Sequence, residues 1–408
     1  MSVESRRAKA ADGGDEGESR IPSAARTVRG RVRPRPAAME SSAARTEARA
    51  AQAAGLAVVV SFVVALIAFA GRRPALSGGD GVGDVAAVVG GVVAVLVLPV
   101  AYRHTYDHPQ HHWLAERPVW RRYLGVVALA AAHGAIAYMA TWAGFRIFQG
   151  TFKGLTLDAL AGALATAVVG GLAAYTTYQS GARMNSYLLS NFLATYLAAG
   201  VLTSMVTTMN SHWWEVNFSV LGARDSGMAS WTFNMTLITS GVVITMLAEY
   251  VTRDIQALAA YREDSTARER KGSAAMVQTR PILVCLVLIG VFLAGTGLVP
   301  VDFYMPAHNS MATAMAGAYT LLVLFLPWWL PGLSRTFHVT GFAMLGGAIL
   351  AVILWFPLGY YNMTAMEFFV AGVILAWLVL LIRNVAAALE DAQRDALWGL
   401  MRDQGSEP

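Results

Sequence analysis

His212 and Glu215 stand one helical turn apart in the stretch NSHWWEVNFSVLGARDSGMASWTFN, and Asp302 and His308 follow later in PVDFYMPAHNS. Two imidazoles and two carboxylates are the donor set of a metal-assisted hydrolytic site. The HxxE spacing aligns its pair on one helix face, but HExxH, GxSxG, a phosphate-binding GxxxxGK[ST] loop and a Gly-rich dinucleotide turn are all absent. No catalytic residue and no metal ligand is therefore assigned. Binding is the better use of these groups. Asn217, Ser219, Asn234 and Asn309 stand beside the four, and Asp225, Asn362 and Glu367 are further polar neighbours. The candidate ligand-binding set is His212, Glu215, Asn217, Ser219, Asn234, Asp302, His308 and Asn309. In that role the two histidines would face anionic headgroup oxygens, and the two asparagines Asn217 and Asn234 would add hydrogen bonds.

The elements that must position these residues follow from composition. Of 408 residues, 56% are hydrophobic and only 14% charged, against roughly 45–50% and about 25% in soluble domains. Mean hydropathy is +0.48. A water-soluble protein could not cover so much apolar surface, so the chain reads as an all-α integral membrane bundle. Ten apolar runs of about 20 residues, each enough to cross the hydrocarbon core as helix, fall at 49–70, 83–102, 123–145, 157–178, 186–208, 231–251, 281–299, 309–332, 338–357 and 365–384. The second holds Pro99 and the eighth Pro327 and Pro331, residues that kink a helix.

Basic residues orient the bundle. With the N-terminus inside, the inner loops carry Arg103, Arg117, Arg121 and Arg122, then Arg183, then six basic residues within 252–280, then Arg335. The outer loops carry Arg72, Arg73, Lys153 and Arg224. Every inner loop is basic, which predicts both termini in the cytoplasm. The loops holding the candidate residues then share the outer face. The apolar residues Trp213, Trp214, Val216, Phe218, Val220 and Leu221 predict a loop that packs.

The domain reading is a disordered basic segment over 1–48, a four-helix region over 49–185, a six-helix region over 186–384 with an inner loop at 252–280, and a partly helical tail over 385–408. The single cysteine, Cys285, excludes an intramolecular disulfide. The Ala-, Arg- and Gly-rich, Lys-poor composition points to a GC-rich bacterial genome, and with the apolar runs to a bacterial plasma membrane as the expected location. His133 lies well inside a span and is taken as a packing residue rather than a haem ligand or proton relay. The loop RHTYDHPQHHWLAERPVWRR gathers His104, His108, His111, His112 and Asp107. Zinc or copper could use such a cluster, but Pro109 interrupts it and a wet interfacial loop is the reading taken.

The stretch from Trp213 to Gly241, WWEVNFSVLGARDSGMASWTFNMTLITSG, resembles the polytopic bacterial proteins grouped as "domain of unknown function 998". The resemblance rests on an N-x-S-x-LG motif and a helix opening FN-x-x-LI-x-x-G, carried by Asn217, Ser219, Leu221, Gly222, Phe233, Asn234, Leu237, Ile238 and Gly241. It covers about 186–384 and implies a fold rather than an activity. A remoter similarity to DRAM and Frag-type membrane proteins implies lipid handling, by analogy. The expected function is binding or movement of a lipid or small amphipathic solute through an outward-facing pocket. Membrane lipids are the expected partners, with no cofactor and no nucleic acid; oligomeric state is left open. Without an ATPase motif, movement would be passive, ion-coupled or driven by another chain. The alternatives are a membrane-embedded metal-dependent enzyme using His212, Glu215, Asp302 and His308, or a non-catalytic envelope scaffold.

Overall fold

Four of the helices begin on a polar side chain that takes up their first free N–H groups. Asp158 accepts from Leu160 and Ala161, Asn185 from Leu188, Ser334 from Phe337 and Asn362 from Ala365. In the computed structural model the backbone is described for residues 36–104, 118–268 and 277–405, with side chains over 43–104, 118–262 and 277–398. The chain divides between Ala48 and Arg49 into two units. In the first, helical backbone runs from Pro36, so the end of the segment expected to lack order is helix.

The helices are α1 (Pro36–Ala68), α2 (Val82–Arg103), α3 (Val119–Thr151), α4 (Ala159–Ala182), α5 (Ser186–Thr207), α6 (Met228–Arg268), α7 (Thr279–Leu298), α8 (Met305–Trp329), α9 (Arg335–Trp355) and α10 (Met363–Gly405). All ten are long and apolar enough to cross a membrane, and no strand occurs among the described residues. Leu56, Ile67, Val168, Val206 and Trp328 stay exposed, a lipid-facing surface that water would not tolerate at this extent. The protein is an integral membrane protein by this architecture.

One expected boundary changes. The segment 252–280 is not a loop throughout: α6 continues to Arg268 and buries Ile255 and Leu258. The tail after Asn384, read from sequence as partly helical, continues α10, with Val385 buried. In both, apolar residues at helical spacing persist beyond the membrane-length run. Pro99 and Pro327 lie inside α2 and α8, whereas Pro331 follows the end of α8.

α6 is the axis of the bundle. Its apolar window is 72% buried, against at most 44% in any other span. It meets α7 at a glycine crossing, where a Cβ on Gly290 would lie 2.6 Å from the Gly241 carbonyl oxygen and one on Gly297 would lie 2.7 Å from that of Asn234. Helix backbones approach this closely only where both sides are small. On another side, the hydroxyls of Tyr102 on α2 and Tyr250 on α6 are 2.9 Å apart and buried.

Loops at each end are tied across the bundle. The α1–α2 and α3–α4 connections bond through Leu157 N–H to the Pro74 carbonyl at 3.0 Å. At the opposite end Arg262 donates to the carbonyls of Pro331 (2.8 Å) and Gly332 (3.0 Å) in the α8–α9 connection.

Candidate functional site

The segment between α5 and α6 folds into three short 3-10 turns, Trp213–Glu215, Phe218–Gly222 and Arg224–Ser226. Phe218 and Leu221 are buried. The Phe218 ring meets Phe233 of α6 and Phe368 of α10 edge-on, at 5.3 and 5.5 Å between centroids. The segment is thus a cap seated on α6 and α10. The expected packing holds for Phe218 and Leu221, while Trp214 and Val216 point outward and are exposed.

Polar ties hold the cap down. Glu367, in the first turns of α10, accepts the N–H of Phe218 at 2.6 Å and that of Ser219 at 3.3 Å, with the Ser219 hydroxyl at 3.4 Å. A carboxylate here meets the free donors that open the Phe218–Gly222 turn. Asn362 donates to the Trp214 carbonyl at 2.8 Å while capping α10. Asn234 donates to the Gly222 carbonyl at 2.8 Å, and Ser230 donates to the same oxygen at 2.9 Å. Arg224 reaches the α7–α8 connection, where its Nε lies 2.9 Å from Asp302 Oδ2. Burial pushes the Asp302 carboxyl up, but the hydrogen bonds from Arg224 outweigh it and hold it below the usual carboxylate range.

Each candidate residue now has a place. Ser219, Asn234 and Asp302 spend their polar groups on holding the cap. Asn234, placed by sequence among the ligand-binding residues, bonds the cap. Gly222 is explained by a close approach to α6, since a Cβ there would lie 2.9 Å from the Phe233 ring. Asn217 precedes the Phe218–Gly222 turn without capping it by its side chain. His212, Glu215 and Asn309 are exposed, and the His212 ring lies 3.1 Å from the Ser211 hydroxyl. His308 is buried, 2% exposed, and its Nδ1 lies 2.7 Å from the Val299 carbonyl. His212, Glu215, Asp302 and His308 do not gather: among the described residues no three His, Cys, Asp or Glu form a group that could hold a metal ion.

Three buried polar atoms at this end have no protein partner among the described residues. They are Asn217 Oδ1, His308 Nε2 and Thr364 Oγ1. Thr364 was missed by sequence reasoning; its signal is the Thr364–Glu367 spacing, which places both on one face of α10.

Two other candidate centres resolve differently. His133 Nδ1 lies 2.8 Å from the Leu129 carbonyl and Nε2 lies 2.9 Å from Ser180 Oγ, with the ring stacked on Phe192 at 3.9 Å. Both nitrogens are used in packing. Of the histidine-rich loop, only His104 is described, within hydrogen-bond reach of Arg49; Asp107, His108, His111 and His112 lie outside the described residues.

No protein family matches the chain, and neither a curated protein nor a solved structure matches it.

Proposed function

We propose that this integral membrane protein binds, or moves, a lipid or small amphipathic solute beneath the cap between α5 and α6. The observation that carries this reading is the set of three partnerless buried atoms, Asn217 Oδ1, His308 Nε2 and Thr364 Oγ1. A buried polar atom without a partner costs roughly 1–3 kcal/mol, and a ligand or water that pairs with it recovers that cost.

The chemistry narrows the ligand. His308 gives its Nδ1–H to Val299, so in the neutral ring Nε2 offers a lone pair. Asn217 offers a carbonyl oxygen, and Thr364 a hydroxyl. This set favours a ligand that brings hydrogen-bond donors, a hydroxyl- or ammonium-bearing headgroup, over the anionic oxygens expected from residue types alone. Access requires the cap to lift, which breaks the ties from Glu367 and Asp302.

The proposal also sets the cap outward and both termini in the cytoplasm of a bacterial plasma membrane. It is supported by Arg121, Arg122, Arg183, Arg253, Arg262 and Arg335 at the opposite end. The likeness to the "domain of unknown function 998" proteins belongs to the same proposal and rests on the residues quoted for it.

Native mass spectrometry of the full chain in mild detergent tests it. The expected result is an added mass of one lipid or solute, lost in His308→Ala and in Asn217→Ala. A bare polypeptide mass across several gentle detergents would overturn it.

A further inference from the structure

A second feature lies in the middle of α10, Met363–Gly405. There a groove of about 430 Å³ is lined by Ala376, Val379, Leu380, Arg383, Asn384 and Ala387. Four of these are apolar, and all six fall along one face of a helix long and apolar enough to span a membrane, with Ala376, Arg383 and Ala387 exposed and Val379, Leu380 and Asn384 half-buried. Arg383 is the exception in charge. Its guanidinium lies over the ring of Tyr187, 5.3 Å from the centroid, and Tyr187 is the second residue of α5.

Depth gives the arginine its meaning. Twenty residues separate Met363 from Arg383, about 30 Å of helix at 1.5 Å per residue. That equals the hydrocarbon thickness, so Arg383 reaches the level of the headgroup phosphates. Among the described residues no carboxylate pairs with it. The nearby acid on α6, Asp254, is held by the Ser186 hydroxyl. The cation–π contact holds the guanidinium beside the N-terminal end of α5, where the helix dipole also favours an anion.

We infer that this groove binds one anionic phospholipid, with its phosphate on Arg383 and Asn384 and an acyl chain along Leu380, Val379 and Ala376. The site is separate from the one beneath the cap. It commits to lipid because the groove runs along a helix long and apolar enough to span a membrane, and to an anionic headgroup because its polar end carries an unpaired cation.

The test titrates purified full-length protein in detergent with phosphatidylglycerol and, separately, phosphatidylcholine, reading bound lipid by native mass spectrometry. Wild type retains phosphatidylglycerol in preference. Arg383→Gln weakens that retention about fivefold, the weight of one basic side chain at a membrane surface, and Arg383→Lys keeps most of it. Leu380→Trp, which fills the groove and leaves the charge, also weakens it, and carries the test alone if Arg383→Gln does not fold. The Arg383 dependence persists when measured in a His308→Ala background, where the cap-end ligand is absent, so this inference and the cap-end reading fail independently. Equal retention by wild type and Arg383→Gln overturns the inference, as does equal retention of the two lipids. A wild-type dimer dispersed by Leu380→Trp also overturns it, in favour of a second copy in the groove.

Discussion

The carboxylate of Glu367 accepts the backbone N–H of Phe218 at 2.6 Å, across 149 positions of sequence. One side chain on α10 thereby sets where the cap over the candidate site begins. Glu367→Gln keeps the shape and loses the charge, for an expected loss of about 1 kcal/mol; Glu367→Ala orphans the Phe218 and Ser219 donors and costs about 2–3 kcal/mol. Hydrogen exchange at these two amides is the readout. Unchanged protection in Glu367→Ala would show that apolar packing alone holds the cap.

Arg224 and Asp302 form a more exposed tie, worth about 0–1 kcal/mol. The folded-state value of Asp302 is depressed by Arg224. Its contribution is therefore present above the unfolded carboxylate value, about 3.9, and is lost as pH falls through the lower folded value. Cap mobility, followed by a spin label on the exposed Asp225, should rise on acidification in wild type. In Asp302→Asn it should already be raised and respond less to acid. Identical pH responses in the two proteins would remove Asp302 from this role.

The α6–α7 crossing tolerates no added carbon. Gly290→Ala places a methyl against the Gly241 backbone and should cost about 1–3 kcal/mol, seen as a lower melting temperature in detergent. Gly144→Ala is the control. Its Cβ would meet nothing within 4 Å, and helix propensity predicts a neutral or slightly stabilising change. Equal behaviour of the two variants would mean that the helices slide apart without penalty.

His133 predicts a purely structural phenotype. His133→Ala leaves the Ser180 hydroxyl and the Phe192 face without their partner and should cost about 2–4 kcal/mol. Ser180→Ala should cost about 1 kcal/mol. Bound lipid or solute per folded molecule should be unchanged in both. Loss of ligand from folded His133→Ala would instead place His133 in the binding path.

Composition and run length determined the helical membrane architecture of this protein. Apolar runs of bilayer length must satisfy their backbone as helix, so ten spans were legible without any contact being known. Packing of the loop before α6 was legible too, from Phe218 and Leu221. Which polar groups that loop uses was decided only by the tertiary structure. Glu367 reads in sequence as one more acid near a helix end, and His308 reads as an accessible ligand. Folding brings α10 beneath a segment 149 positions earlier and closes the α7–α8 connection over His308, leaving it 2% exposed. Hydropathy depends on local runs, whereas a hydrogen-bond partner depends on which helices become neighbours, and nothing local in a chain specifies that.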